Sequence, residues 1–297
     1  MVRWRETVRV WVWREAIVRD DRSAMVVEHY SHGELLAAIL WGLAAMGKST
    51  DPIDSDDLAA GDEFHIGGRA ATSALFSQLA WRPGARVLDV GCGIGGPARY
   101  LARHWEARVT GIDLTPEFVG VARELTRRCG LAGAVDFQVG SGLELPVPDG
   151  GVDAAYLLHV GMNVEDKSRL FAEVRRVLRP GGWFAVYDVM RVGPGEIDYP
   201  MPWASDARAS FVAEPGTYRR LLAEAGLRIE RERDRREFGT EFFSRMPASA
   251  HALPPLGPHI VMGPEFATKV SNLVKARRRG LLAPIEIIST AAESTSP

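Results

Sequence analysis

Cysteine is scarce in this 297-residue sequence, which contains only Cys92 and Cys129. Two thiols cannot build a framework of several disulfides, and they cannot supply the ligands of a cysteine-rich zinc site. We therefore expect no bound metal and a reducing, cytoplasmic setting.

An excess of one charge is also absent. The 36 basic and 38 acidic residues leave a net charge of −2, which gives no electrostatic case for nucleic acid or an anionic membrane surface. No apolar run approaches the roughly 20 residues that a membrane-spanning helix needs. We therefore expect neither nucleic acid nor a membrane as a partner.

The most informative feature that is present is the segment 87–96. A short apolar strand pattern runs into a turn with Gly91, Gly93 and Gly96 in G-x-G-x-x-G spacing. Glycine permits backbone angles with φ > 0 and lets a ligand come close to the main chain. Strand, turn and helix N-terminus together hold nucleotide-derived cofactors in α/β proteins. The spacing alone would fit a nicotinamide enzyme equally well.

Strand and helix patterns alternate through the middle of the chain and predict parallel strands joined by crossovers. Thr115 and Pro116 suit a helix start, and Gly130 suits its end. The predicted fold is α/β: a Rossmann-like, seven-stranded, mostly parallel sheet with helices on both faces. Its candidate strands are Arg86–Val90, Arg108–Ile112, Val135–Val139, Val152–Leu158, Trp183–Tyr187, Leu227–Glu232 and Pro284–Ser289.

Asp89, two residues before the first glycine, distinguishes between cofactors. A carboxylate beside a pyrophosphate would bring like charges together, whereas it suits the ammonium and sulfonium groups of S-adenosyl-L-methionine. Val87–Gly96 resembles motif I of the class I S-adenosylmethionine-dependent methyltransferases. Later segments resemble further motifs of that family in the same order, namely Val109–Asp113, Leu145–Asp149 with Val152-Asp153, and Val177–Gly182.

The resemblance, which covers about residues 60–235, implies a cofactor site. Asp113 would accept the ribose hydroxyls, and Leu114 and Leu143 would flank the adenine. The family usually has Gly-Asp-Ala where this chain reads Gly140-Ser141-Gly142, so Ser141 would offer an uncharged hydrogen bond. Cys92 is interpreted as a small turn residue. The predicted cofactor-binding residues are Asp89, Gly91, Cys92, Gly93, Asp113, Leu114, Ser141, Gly142, Leu143 and Leu158.

The resemblance also implies a division of the chain. Helical patterns at Gly33–Met46 and Asp62–Leu79 predict a helical lid, and those at Phe242–Ala250 and Phe266–Arg279 predict a helical insert before the last strand. The expected parts are a flexible extension at 1–24, the lid at 25–80, the methyltransferase domain at 81–290 with inserts at about 191–212 and 238–280, and a disordered tail at 291–297.

The segment after the fourth strand lacks the Asp/Asn-Pro-Pro-aromatic motif of nucleic-acid amino methyltransferases. Together with Asp62–Thr72, it resembles the small-molecule branch, which includes sarcosine/dimethylglycine, sterol and natural-product methyltransferases. By that analogy Tyr30, His65, Asn163 and Trp203 face the substrate, and His159 is the catalytic candidate.

Alternatives remain open for these side chains. His159 suits a general base near neutral pH, but a histidine at a strand end also serves to bond the backbone or to pack on the cofactor. His65 is expected to order the lid through a backbone bond in preference to contacting substrate. Trp203 would anchor the lid or pack on the core.

The leading hypothesis is methyl transfer to an N, O or C atom of a small molecule in specialised metabolism. The same cofactor could instead serve a cyclase or decarboxylase, and the fold could be a non-catalytic binding module. A nicotinamide dehydrogenase is a more distant alternative. The sequence does not decide whether the protein is a dimer.

Overall fold

The structure is a computed structural model that describes residues 21–31, 33–245, 253–263 and 265–292. Most of the predicted extension and nearly all of the predicted tail lie outside the described residues. The division into extension, lid, domain and tail therefore stays a prediction.

All seven predicted strands are present in a single sheet. They are Arg86–Val90 (β1), Arg108–Asp113 (β2), Val135–Val139 (β3), Val152–Leu158 (β4), Leu178–Arg191 (β5), Leu227–Asp234 (β6) and Leu282–Ala291 (β7). Their order across the sheet is β3-β2-β1-β4-β5-β7-β6. The first five pair in parallel, and β7 runs antiparallel between β5 and β6. This confirms the Rossmann-like, mostly parallel sheet.

Helices surround this sheet. Further helices precede β1 or lie between β6 and β7. In chain order, the helices are Asp21–Tyr30 (α1), Leu35–Ala45 (α2), Ala59–Asp62 (α3), Gly68–Phe76 (α4), Gly96–Trp105 (α5), Pro116–Arg128 (α6), Lys167–Val177 (α7), Pro215–Glu224 (α8), Arg236–Ser244 (α9), Pro258–Met262 (α10) and Phe266–Arg278 (α11). Short 3₁₀ turns lie at Ser55–Leu58, Gly161–Asn163 and Ala207–Ala209.

The core consists of an apolar layer on each face of the sheet, because side chains alternate along a strand. Leu88 and Val90 of β1 belong to the layer that includes Leu170 of α7. Val87 belongs to the opposite layer, with Leu75 of α4 and Leu101 of α5. The strand ends are thereby fixed between two sets of helices.

Two helix predictions need correction. The pattern Asp62–Leu79 is not one helix, because the chain turns after α3 and resumes as α4 only at Gly68. Gly67, with φ of 94°, makes this turn, and a Cβ there would lie 2.3 Å from the Phe238 ring. The helix expected at Phe242–Ala250 begins earlier and ends at Ser244. Residues 246–250 lie outside the described part.

Smaller differences concern element ends. The fifth strand is longer than predicted because its second half pairs with β7 as far as Arg191. Thr115 occupies the N-cap position of α6 but its side chain makes no capping hydrogen bond, while Pro116 opens the helix as expected. Within the described residues, no helix combines the length and the apolar character needed to cross a membrane.

Candidate functional site

A cavity of about 620 Å³ lies where the carboxyl ends of β1, β2, β3 and β4 meet. This edge of a parallel sheet is where α/β folds bind their ligands. All fifteen residues predicted for the site line the cavity, including those on α1 and in the loop around Trp203. The structure brings them together, while their individual roles stay predictions.

The glycine turn after β1 is closely covered. Gly91 and Gly93 have φ of 75° and 52°. A Cβ on Gly91 would lie 2.3 Å from a methyl of Val160, and a Cβ on Gly93 would lie 2.8 Å from the Phe64 ring. The turn therefore needs glycine both for its backbone angles and for the residues packed over it.

Asp89 is a buried carboxyl in the cavity wall, close to the hydroxyl of Tyr156. It is only 2% exposed, and its Oδ2 atom has no hydrogen-bond partner. Burial raises the pKa of this carboxyl to about 8, and the nearby Asp113 adds to the effect. A cation that entered the cavity would stabilise the ionised form.

Cys92 behaves as a turn residue. Its thiol is buried and donates to the carbonyl of Gly93 at 3.7 Å. Burial raises the pKa of the thiol well above its usual value, so the reactive thiolate is disfavoured.

Asp113 is the last residue of β2, and its side chain bonds to the glycine turn. Its Oδ2 accepts a hydrogen bond from the backbone N–H of Gly93 at 2.8 Å, and its Oδ1 accepts one from Thr115 at 2.9 Å. Burial raises the pKa of Asp113, and these backbone donors oppose that shift. A carboxylate held in this way keeps lone pairs that can accept further hydroxyl donors.

Ser141 follows β3 at the position where the related family usually has an acid. Its Oγ accepts the backbone N–H of Leu143 at 3.1 Å, which leaves the hydroxyl proton to be donated. A Cβ on Gly142 would lie 2.9 Å from Leu170, so the chain there has no space for a larger residue.

His159 has an unusual backbone and an unpaired ring nitrogen. Its φ is 55°, and its backbone N–H donates to the carbonyl of Tyr187 at 2.7 Å. The Nε2 atom is buried without a hydrogen-bond partner. Burial, followed by the neighbouring His65, lowers the pKa well below its usual value, so the ring is neutral near neutral pH.

His65, by contrast, is held within the N-terminal helical segment. Its Nε2 lies 3.1 Å from the carbonyl of Gly68 and 3.0 Å from the hydroxyl of Thr72. Burial lowers its pKa to about 4. The backbone bond expected for His65 is present, and it occupies the Nε2 atom.

The polar groups of the other three substrate-side candidates bond to one another, to the backbone or to the Ser210 side chain. The Tyr30 hydroxyl donates to Oδ1 of Asn163 at 3.3 Å, and Nδ2 of Asn163 donates to the carbonyl of Trp203 at 2.7 Å. The Trp203 indole N–H donates to Ser210 at 3.0 Å. This chain of bonds links α1, the turn after β4 and the loop before α8.

Sequence reasoning missed a buried ion pair at the cavity wall. Asp62, which lines the cavity, accepts a hydrogen bond from Arg99 of α5 at 2.9 Å, and both side chains are buried. Arg99 also donates to the hydroxyl of Thr126 at 3.0 Å. The sequence pointed to Asp62 only as part of the segment Asp62–Thr72, which resembles the small-molecule branch. Nothing in the sequence marked Arg99 as its partner.

The aromatic part of the wall was also missed. Phe64 and Phe118 line one side, while Phe242, Phe243 and Phe266 come from the insert before β7. Aromatic residues at helical spacing indicate a buried face but not what that face covers. Among the described residues, no group of three or more His, Cys, Asp or Glu side chains is placed to hold a metal ion.

Part of the chain matches a known protein family. Residues 88–186 match the family described as methyltransferase domain. The chain is 33% identical over 177 residues to Methyltransferase GfsG of Streptomyces halstedii, a match that covers 59% of this chain and 62% of that relative. The match thus spans less than two thirds of the relative's length.

Solved structures share the fold over most of the chain. Geranyl diphosphate C-methyltransferase of Streptomyces coelicolor A3(2), solved with Mg²⁺, geranyl-S-thiolodiphosphate and S-adenosyl-L-homocysteine, has a TM-score of 0.66, 19% identity, and coverage of 92% of this chain and 99% of its own. The [4+2]-cyclase SpnF has a TM-score of 0.64, 23% identity, and coverage of 92% and 97%. At these identities the likeness shows the fold alone.

The methyltransferase domain predicted from motif I and its neighbours is thereby confirmed, and S-adenosyl-L-methionine is the cofactor expected for it. Residues 88–186 therefore form a methyltransferase domain.

Proposed function

We propose that this protein transfers a methyl group from S-adenosyl-L-methionine to a hydroxyl or amine of a small molecule in specialised metabolism. The observation that carries the proposal is the buried Asp89 carboxyl at the glycine turn, with Oδ2 unpartnered and Asp113 nearby. Such a wall gives a pyrophosphate no counter-charge, whereas a cationic cofactor would stabilise the ionised carboxylate. The natural-product setting rests on the resemblance of Asp62–Thr72 and of the segment after β4.

The residues present fit the cofactor. S-Adenosyl-L-methionine supplies a methyl group on a positively charged sulfur, which a nucleophile displaces in line. Asp89 would balance positive charge, Asp113 would accept ribose hydroxyls, and Ser141 would donate to the adenine. Leu114 and Leu143, which line the same cavity, would pack on the adenine faces.

His159 has the properties of a proton acceptor at the substrate end. His159 lines the cavity, its buried Nε2 has no hydrogen-bond partner, and the lowered pKa keeps the ring neutral. A neutral imidazole can accept a proton as the bond between the nucleophile and the methyl carbon forms, and the lowered pKa makes it a weaker base than an ordinary histidine. The cavity wall contributes alignment and exclusion of water.

The helical segment before β1 would act as a lid over this chemistry. Phe64 covers Gly93, and the bonds from Tyr30 through Asn163 to Trp203 join the segment to the loop before α8. We infer that these contacts hold the cavity closed during transfer.

The test is to titrate the protein with S-adenosyl-L-methionine by calorimetry, and then to incubate it with methyl-labelled cofactor and candidate acceptors. Binding followed by label in the product supports the proposal. If the cofactor binds and a candidate compound is converted to a product that carries no label, the protein is a cyclase or decarboxylase. Absence of binding would indicate a non-catalytic module.

A further inference from the structure

The part of the cavity wall beyond the glycine turn is almost entirely apolar. Its side chains come from the loop before α8 and from the insert that contains α9, α10 and α11. They include Trp203, Phe211, Phe242, Met262, Phe266 and Leu273. Several of these pack against an apolar cluster around Met201 and Val189, so the wall is continuous with a core.

The charged side chains of the described cavity wall lie elsewhere. Asp89 and Asp113 belong to the predicted cofactor site, and Asp62 is paired with Arg99. Glu165, Asp166 and Arg169 are exposed at the rim. Arg169, whose Nε donates to the carbonyl of Leu143 at 2.7 Å, lies on the side of the expected adenine.

No buried cation of the described wall faces the apolar end. Two buried ammonium groups lie outside the cavity lining, and both bond to backbone carbonyls. Lys167 donates to Val164 and Phe211 at 2.7 and 2.6 Å, and Lys269 donates to Met262 at 2.9 Å. His65 and His159 are neutral, because burial lowers the pKa of both. A phosphate or carboxylate placed there would be buried without a counter-charge, which is costly.

A cationic acceptor is also disfavoured. Aromatic rings can bind cations through their faces. However, the Arg277 guanidinium already lies over the Phe243 ring at 4.9 Å. The polar groups of Tyr30, Asn163 and Trp203 bond to one another or to the protein. His159 offers the one unpartnered polar atom that the described wall places at this end.

We propose that the acceptor is an uncharged and largely apolar molecule whose apolar part lies against the insert 238–280, with a single polar group directed to His159. This inference rests on the proposed function and narrows its substrate class. It also gives the insert a role in selecting the substrate.

The test compares three probes that share one carbon chain and differ in charge: geraniol, geranyl diphosphate and geranylamine. Binding to the protein saturated with S-adenosyl-L-homocysteine is measured by calorimetry at pH 7. We expect geraniol to bind at least about tenfold more tightly than either charged probe. Tighter binding of a charged probe, equal binding of all three, or binding of none would overturn the proposal.

A matched pair of variants localises the binding. Phe242→Ala removes an aromatic residue from the apolar wall, whereas Trp41→Ala removes one that is 68% exposed on α2. We expect the first to weaken geraniol several-fold and the second to leave it unchanged. Equal effects of both variants would contradict a role for the insert.

Titration of S-adenosyl-L-methionine separates the two levels of the argument. If it binds normally while a charged probe outcompetes geraniol, only the substrate class is wrong. If it does not bind, the proposed function itself fails.

Discussion

His65 and His159 meet edge to face, with their ring centroids 5.9 Å apart, yet the Nε2 atom of His65 is bonded and that of His159 is not. Burial lowers the pKa of both rings, so neither carries charge near neutral pH. Adjacent side chains of one type therefore have different capacities. His65 fixes the chain around Gly68, whereas His159, which also lines the cavity, retains a ring nitrogen without a hydrogen bond.

His159→Ala should lower kcat by about 10²-fold, the lower range for loss of a positioned acid or base, with the affinity for S-adenosyl-L-methionine nearly unchanged. Steady-state kinetics and calorimetry measure the two quantities. Because φ at His159 is 55°, His159→Asn serves as a control that tolerates this backbone without providing an imidazole. Full activity of the Asn variant would sink the proton-acceptor role.

His65 should make stability depend on pH. Its pKa is about 4 in the folded chain and 6.5 as the ordinary value, so the unfolded chain binds the extra proton first. This contribution is complete above pH 6.5 and is lost as the pH falls towards 4. By pH 5 the loss of stability amounts to about 2 kcal/mol.

The measurement is urea denaturation of the wild type and of His65→Gln at pH 7 and pH 5. The difference between the two proteins isolates His65 from the nearby carboxyls of Asp62 and Glu63. We expect the advantage of the wild type to shrink by about 2 kcal/mol at the lower pH. An unchanged advantage would contradict a buried neutral ring.

Asp89 should couple cofactor binding to pH. Burial raises its pKa to about 8, so below that pH the empty site holds a neutral carboxyl that must ionise to balance a cation. The affinity for S-adenosyl-L-methionine should therefore rise between pH 6 and pH 8, approaching about tenfold per unit. Asp89→Asn should bind about tenfold or more weakly and lose this slope.

Asp149→Asn is the matched control for that titration, because the side chain is 82% exposed and lies outside the cavity lining. Its affinity and pH slope should equal those of the wild type. A slope that persists in Asp89→Asn would assign the proton to another group.

Most of the fold could be predicted from the pattern of strands in the sequence. β1, β3 and β4 have the predicted ends. β4 is a nearly continuous apolar run inside the sheet, whereas the edge strand β3 alternates apolar and polar residues, and both patterns are typical of strands. The prediction of one helix over Asp62–Leu79 was wrong, because Gly67 and Gly68 have positive φ and interrupt the helix. Apolar periodicity does not reveal such backbone angles. The end of β5 was also hidden, since it is set by pairing with a strand 91 residues later at Arg191 and Leu282.

The candidate site was predictable where motifs end strands. Asp89, Asp113 and Ser141 follow directly from that rule, since the carboxyl ends of parallel strands share one edge. The Asp62–Arg99 pair and the aromatic wall depend on packing between segments distant in sequence. No local pattern encodes such contacts, so only the folded chain reveals them.

The Asp62–Arg99 ion pair should matter to folding. Arg99→Met would leave the buried Asp62 carboxylate without its partner, which typically costs about 3–5 kcal/mol. The double variant with Asp62→Asn should recover part of that loss, and urea denaturation measures both. The exposed pair Arg208–Asp206, at 2.7 Å, is the control, and Arg208→Met should leave the unfolding midpoint unchanged. Equal midpoints for both arginine variants would contradict the buried pair's role.

Gly91 and Gly130 separate backbone strain from crowding. Both have positive φ, 75° and 69°, but a Cβ would meet Val160 at 2.3 Å on Gly91 and nothing within 4 Å on Gly130. Gly130→Ala should therefore cost only the strain of the left-handed backbone, about 1–2 kcal/mol. Gly91→Ala should cost about 1–3 kcal/mol more, because Val160 must move.

The same displacement should affect function, since Val160 follows His159 and both line the cavity. Gly91→Ala should lose affinity for S-adenosyl-L-methionine, whereas Gly130→Ala should bind normally. Denaturation and calorimetry on the two variants test this together. Equal stability and equal binding would mean that the glycine turn needs only its backbone angles and that its contact with the turn after β4 plays no part.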